Sequence, residues 1–167
     1  NYDTLNWWLG VEQEIDNMES PSGVKLDQVC FAPMGQGTPC VVQSVSAWLG
    51  ESLEEWGDGW QDRMTTCANS PGECLPPFGQ PSDPKLVLGG AEGKWLEARA
   101  LVISFVVNNY NDDRVRPAME WESTLKDYLG RLSHDGVKVH YITEISLEEE
   151  LNKSTNTDVK IVVLSYL

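Results

Sequence analysis

Ala100-Leu-Val-Ile-Ser-Phe-Val-Val-Asn-Asn-Tyr-Asn-Asp112 is the stretch on which the reading of the fold turns. The run from Leu101 to Val107 is too short for a membrane helix and too β-branched for a short exposed one. It reads as a strand buried on both faces. Asn108-Asn109-Tyr110-Asn111-Asp112-Asp113 stops the run, because such side chains bond their own backbone and favour turns. Beyond it, Val115, Ala118, Trp121, Leu125, Tyr128, Leu129 and Leu132 fall at three- and four-residue steps, the stripe of an amphipathic helix. Asp112 or Asp113 can cap that helix, and Pro117 sits in its first turn, where a missing N–H costs nothing. After Gly136, the alternation of Val137, Val139 and Tyr141 predicts a second strand.

Working outward, the chain has 167 residues, 41% of them hydrophobic, enough for one globular domain over 1–167 with a substantial core. Twelve basic against 26 acidic side chains leave a net charge of −14. A nucleic-acid partner needs a basic footprint, and the sequence has no Lys/Arg cluster. The acidity suits a basic protein partner, or a compartment acidic enough to neutralise some carboxylates. No apolar run approaches the roughly 18–20 residues that cross a bilayer. The ends, Asn1 and the apolar Val162-Val163-Leu164-Ser165-Tyr166-Leu167, are expected to be cut points in something longer.

Cys30, Cys40, Cys67 and Cys74 allow three pairings. Neighbour pairing, Cys30–Cys40 and Cys67–Cys74, closes two loops rich in Pro and Gly, each bridge contributing roughly 2–3 kcal/mol by loop entropy. Without a CxxC, and with neither His134 nor His140 beside a cysteine, a metal site is the weak alternative. Disulfides imply an oxidising compartment.

Along the rest of the chain, Leu5, Trp8, Val11, Ile15 and Met18 predict a first helix capped by Asp3 or Thr4 and ended by Ser20-Pro-Ser-Gly23. Val24 to Cys30 alternates as a half-exposed strand, Val41 to Leu49 predicts a short helix closed by Gly50, and Lys85 to Gly90 a short strand. Leu53, Trp56, Trp60 and Met64 have helical spacing that Gly57 and Gly59 interrupt. Ser146 with Glu149 reads as a capping box over a helix through Leu151. The sum is an α+β domain: a mixed sheet flanked by helices, of the split-βαβ, ferredoxin-like kind, with disulfide-stapled loops.

Catalytic constellations are scarce. His134 at a helix end complements the dipole, His140 alternates outward on its strand, and Glu148-Glu149-Glu150 suits a first helical turn. Asn109 to Asp113 offers oxygen ligands without the Gly and distal Glu of a calcium loop, and Gly89-Gly90-Ala-Glu-Gly93 matches no phosphate-binding motif. Neither a metal nor a cofactor is expected. Asn152-Lys-Ser154 is an N-glycosylation acceptor. The excess lies in seven Trp: Trp8, Trp48 and Trp121 fall on core stripes, Trp7 off its helix's apolar face, and Trp56, Trp60 and Trp95 in Gly-interrupted, loop-like contexts. A loop tryptophan is a frequent interface anchor; burial by a folded-back loop stays equally open.

Several blocks occur together in one order: Cys30-Phe-Ala-Pro-Met34 with a second Cys ten residues on and a later Cys pair, then Leu86-Val-Leu-Gly-Gly90, Ala100 to Tyr110, and Ser146-Leu-Glu-Glu-Glu-Leu-Asn152. In these the chain resembles the middle lumenal domain of the Niemann-Pick type C sterol transporters, in a fungal, Niemann-Pick type C-related form. The resemblance implies a non-enzymatic, porter-like domain inserted between two membrane helices on the lumenal side of the vacuole or lysosome. Residues 158–167 would begin the following membrane helix. A soluble sterol carrier would dock on the domain, which presents it to the transporter's N-terminal sterol-binding domain, so sterol is passed on rather than firmly held. Of the family's two contact loops, one would lie upstream of Asn1 and the other within Gly50 to Met64, giving Trp56, Gly57, Asp58, Gly59 and Trp60 as candidate contact residues. The rival readings are a secreted hydrolase using acidic residues and a stand-alone lipid-binding domain. Insertion between neighbouring membrane helices also requires Asn1 and Leu167 to lie close together.

Overall fold

The computed structural model describes residues 1–147 and 149–154. Helix α1 (Tyr2–Asp16) leads to a single turn, α2 (Leu26–Val29), then strand β1 (Val42–Gln43) and short helix α3 (Ser46–Leu49). Two 3-10 turns, Leu53–Glu55 and Gly57–Gly59, precede α4 (Trp60–Asn69). After them come α5 (Pro84–Val87), β2 (Leu88–Gly89), β3 (Ala100–Leu101), β4 (Ser104–Phe105) and α6 (Arg116–Leu129). Residues 144–147 and 149–154 are again helical. No described helix is long and apolar enough to cross a membrane. Residues 158–167, and with them Leu167 and the expected start of a membrane helix, lie outside the described residues.

Two buried clusters make the core, and α1 belongs to both. Leu5 and Leu9 pack with Val45, Trp48, Leu49, Leu53, Met64 and Val87; Val11 and Ile15 pack with Leu26, Val29, Ala118, Trp121 and Leu125. Each pair is four residues apart and so forms its own stripe, and the six-residue step from Leu5 to Val11 turns it away from the first. The helix is therefore enclosed along two faces. Its cap is Asn1, whose Oδ1 accepts from Thr4 N at 2.8 Å, and not Asp3 or Thr4.

The 100–107 run bridges the same two clusters. Leu101 packs against the first, and Phe105 and Val107 against the second. It is not buried on both faces: Val102 and Val106 are each 40% exposed. Its pairing is split, β3 with β2 and β4 with β1, both antiparallel, and Val107 bridges Cys30. Short, changing partners give the strand one covered face. Gly89 is required here, because a Cβ on it would lie 3.0 Å from the Ala100 Cβ.

The α+β class stands, with its sheet in two small antiparallel ladders among the described residues in place of one mixed split-βαβ sheet. The predicted strand at Val137–Tyr141 reduces to one bridge, His134 to Val137, across the turn at Gly136. Val24–Cys30 is not a strand either. Lys25 N donates to Gln28 Oε1 at 2.8 Å, and this local cap winds the segment into α2. Lys85–Gly90 is half helix and half strand. The last helix starts earlier than Ser146: Thr143 N donates to Ser146 Oγ and Ser146 N to Thr143 Oγ1, a reciprocal box whose first member is Thr143. The long helix α6 forms as expected, entered through a 3-10 turn that Asp112 caps, with Pro117 in its first turn.

Cys30 is joined to Cys40 and Cys67 to Cys74, with Cα–Cα distances of 5.6 and 5.4 Å. Cys67 is fully buried in the first cluster, so that staple also ties α4 to the turn at Cys74.

Trp121 is wholly buried in the second cluster, edge-on to Phe105 at 6.0 Å. Trp121→Ala is expected to cost about 3–5 kcal/mol in urea unfolding. A loss below about 1 kcal/mol would show that this cluster does not hold α6.

Candidate docking surface

The segment between α3 and α4 is built from short turns because glycines stop longer helices. Gly50, at φ +75°, ends α3, and Gly57, at φ +50°, opens the second 3-10 turn. Ser52 caps the first turn by accepting from Glu54 N at 3.1 Å. Leu53 is fully buried, and its N–H donates to Asn6 Oδ1 on α1 at 3.0 Å.

The two tryptophans sit at the corners of this framework. Trp56 Nε1 donates to the Leu49 carbonyl at 2.7 Å. The Arg63 guanidinium lies 5.0 Å from the Trp56 ring centroid, and its Nε donates to the Trp48 carbonyl at 2.9 Å. Arg63 and Trp56 thus terminate the free carbonyls at the end of α3. Trp60, the first residue of α4, is half-buried against the first core cluster. Both tryptophans are half-buried, while Gly57, Asp58 and Gly59 between them are exposed, as are Glu54, Glu55 and Asp62. The result is a rigid, acidic rim around two partly covered aromatic rings. Trp95, grouped with them by sequence, is folded back: its Nε1 donates to Asn69 Oδ1 at 2.9 Å.

The other candidate residues are not brought to this surface. His134 stacks on Trp7 with centroids 4.4 Å apart and planes 10° from parallel, which explains a tryptophan off the main apolar stripe. His140 is exposed. Glu149 pairs with Lys126 at 2.6 Å and Glu150 with Lys153 at 2.9 Å; Glu148 lies outside the described residues. In the Asn-rich turn, Asn109 donates to Glu144 and Arg114 pairs with Asp112. Among the described residues no group of three or more His, Cys, Asp or Glu could hold a metal ion. Asn152 is exposed on the last helix.

Arg63, Asn6 and the Glu12–Ser44–Ser46 cluster were not singled out in the sequence. Glu12 had a signal: it follows Leu5 and Leu9 at three- and four-residue steps, so a carboxylate occupies an inward position.

Comparison with known proteins places this architecture. The family model described as the NPC1 middle luminal domain matches residues 1–145. The chain belongs to this family. It is 28% identical to the NPC intracellular cholesterol transporter 1 homolog 1b of Drosophila melanogaster, over 99% of this chain and 15% of that protein. It is 28% identical to NPC intracellular cholesterol transporter 1 of Sus scrofa, over 98% of this chain and 15% of that one. With the NPC1-like intracellular cholesterol transporter 1 of Mus musculus it shares 29% identity over 89% of its length and 14% of the relative's. This NPC1 middle luminal domain therefore spans about one seventh of those relatives.

The Trp56 indole N–H is a structural donor here. Trp56→Phe should lower stability by about 1 kcal/mol and speed amide exchange around Leu49 and Arg63. Unchanged exchange would mean that the bond to Leu49 does not order the loop.

Proposed function

We propose that this domain is the lumenal docking element of a membrane sterol transporter, lying on the lumenal side of the vacuolar or lysosomal membrane. A soluble lumenal sterol carrier docks on the loop between Gly50 and Met64. The domain then presents the carrier to the transporter's N-terminal sterol-binding domain, passing sterol on without a chemical step of its own. The observation that carries the reading is the family match over residues 1–145, joined by relatives whose names are cholesterol transporters.

The loop's chemistry supports the role. The half-buried Trp56 and Trp60 supply apolar contact area on side chains already held in place, so little conformational entropy is lost on binding. Glu54, Glu55, Asp58 and Asp62 surround them, and a carboxylate rim attracts a basic partner patch. Gly57 and Gly59 let a partner's backbone approach Asp58 closely, with nothing within 4 Å of a Cβ placed at either. Asn152, on an exposed helical surface, is the proposed glycan acceptor.

The test is a binding titration with the soluble sterol carrier of the same organism, with circular dichroism to confirm folding. Trp60→Ala should weaken binding at least about tenfold, as expected for an interface anchor worth about 2 kcal/mol. Asp58→Lys should weaken it too, and that loss should shrink as salt rises. Wild-type affinity in both folded variants would move the docking site elsewhere.

A further inference from the structure

Glu12 occupies a position that apolar packing would ordinarily fill. Its residue is 4% exposed on α1, at the point where the helix faces the turn leading into α3. Both oxygens are engaged: Oε2 accepts from Ser44 Oγ at 2.5 Å and Oε1 from Ser46 Oγ at 2.6 Å. Ser44 is itself wholly buried. The charged groups acting nearby are acidic: Asp16, one turn further along α1, and Glu51, which follows α3, acts on Asp16 and accepts from Gln13 Nε2 at 2.5 Å. Among the described residues no ion pair reaches Glu12.

From this cluster a short mechanical path leads to the docking loop. Ser46 opens α3, and the carbonyls at the other end of that four-residue helix, Trp48 and Leu49, hold Arg63 and Trp56. The position of α3 against α1 therefore sets where the Trp56 indole is held.

We propose that Glu12 is a positioning residue for the docking loop, a proton-operated clamp that is closed when its carboxyl is protonated and strained when it is ionised. In the protonated form the carboxyl donates to one serine oxygen and accepts from the other, leaving no buried charge. In the ionised form both serines must donate to a carboxylate that no cation compensates. The purpose assigned to the clamp rests on the docking role proposed above; the clamp itself does not.

The direction of the pH effect follows. Burial pushes the Glu12 carboxyl above its ordinary value, against the pull of the Ser44 and Ser46 hydrogen bonds and with the help of Asp16. Desolvation, then the charge of Glu51, pushes Asp16 the same way. A carboxyl raised on folding contributes stability that is fully present below its ordinary pKa of 4.5 and is lost as pH rises through the folded value. Asp112, Glu120 and Glu149 are held below their ordinary values by hydrogen bonds to Arg114, Ser22 and Lys126, so they act in the opposite direction. The comparison that isolates the clamp is wild type against Glu12→Gln.

The experiment is amide exchange of residues 44–64, corrected for intrinsic rates, at about pH 4 and about pH 7.5, with urea unfolding in parallel. Wild type should exchange several-fold more slowly in this segment at the lower pH. Glu12→Gln, which carries no charge at either pH, should lose the difference and be protected at both. Replacing Ser44 and Ser46 by Ala while keeping Glu12 should widen it. The clamp is overturned if Glu12→Gln retains the wild-type pH dependence, or if the double serine variant leaves it unchanged. Carrier titration of Trp60→Ala, beside the exchange measurement, separates the two proposals: unchanged carrier affinity together with the wild-type pH dependence of exchange supports the clamp and contradicts docking at this loop.

Discussion

Helix α1 is the constraint on which the remainder rests. Leu5 and Leu9 bury into one core cluster, Val11 and Ile15 into the other, so neither forms without the helix in place. Its polar residues are used as well. Asn6 holds the Leu53 N–H, Glu12 holds Ser44 and Ser46, and Gln13 holds Glu51, fixing the 44–53 segment alongside the apolar contacts. A helix enclosed this way gains little from surface amphipathicity and much from tertiary packing. The 100–107 run performs the matching task in extended form, with Leu101 in one cluster and Phe105 and Val107 in the other.

This arrangement explains how a loop of glycines and carboxylates can present a defined surface. The 3-10 turns between α3 and α4 contribute little stability by themselves, since such turns are short and their hydrogen bonds poorly aligned. Their order is borrowed from the buried Leu53, the Trp56–Leu49 bond, and Arg63, which lies over the Trp56 ring and donates to the Trp48 carbonyl. The ion pairs among the described residues lie at or near the surface and add little. A net charge of −14 carries self-repulsion that the compact fold must overcome.

The sequence was most legible where periodicity was long. The α6 stripe from Val115 to Leu129, its Pro117 and the first helix all read correctly in kind, because repeated apolar steps outweigh local noise, while Asp112 caps the 3-10 turn before α6 and not α6 itself. Short segments misled. At Val24–Cys30 and Val137–Tyr141 an apparent alternation lost to a Lys25–Gln28 cap and to a turn at Gly136. The 100–107 strand was visible, but its one-sided burial depends on partners distant in sequence, which apolar content cannot specify. In the segment between α3 and α4 the glycines and tryptophans could be read. The Arg63 stack and the Leu49 acceptor could not, because both arise from how α3 and α4 meet.

The central claim is that the surface held between α3 and α4 receives a soluble sterol carrier. It is tested most directly by titrating the isotope-labelled domain with that carrier and mapping the backbone chemical-shift changes. The account predicts that the largest changes fall within residues 51–62, around Trp56, Asp58 and Trp60. Changes concentrated in the Cys30–Cys40 loop or the last helix, with residues 51–62 silent, would contradict it.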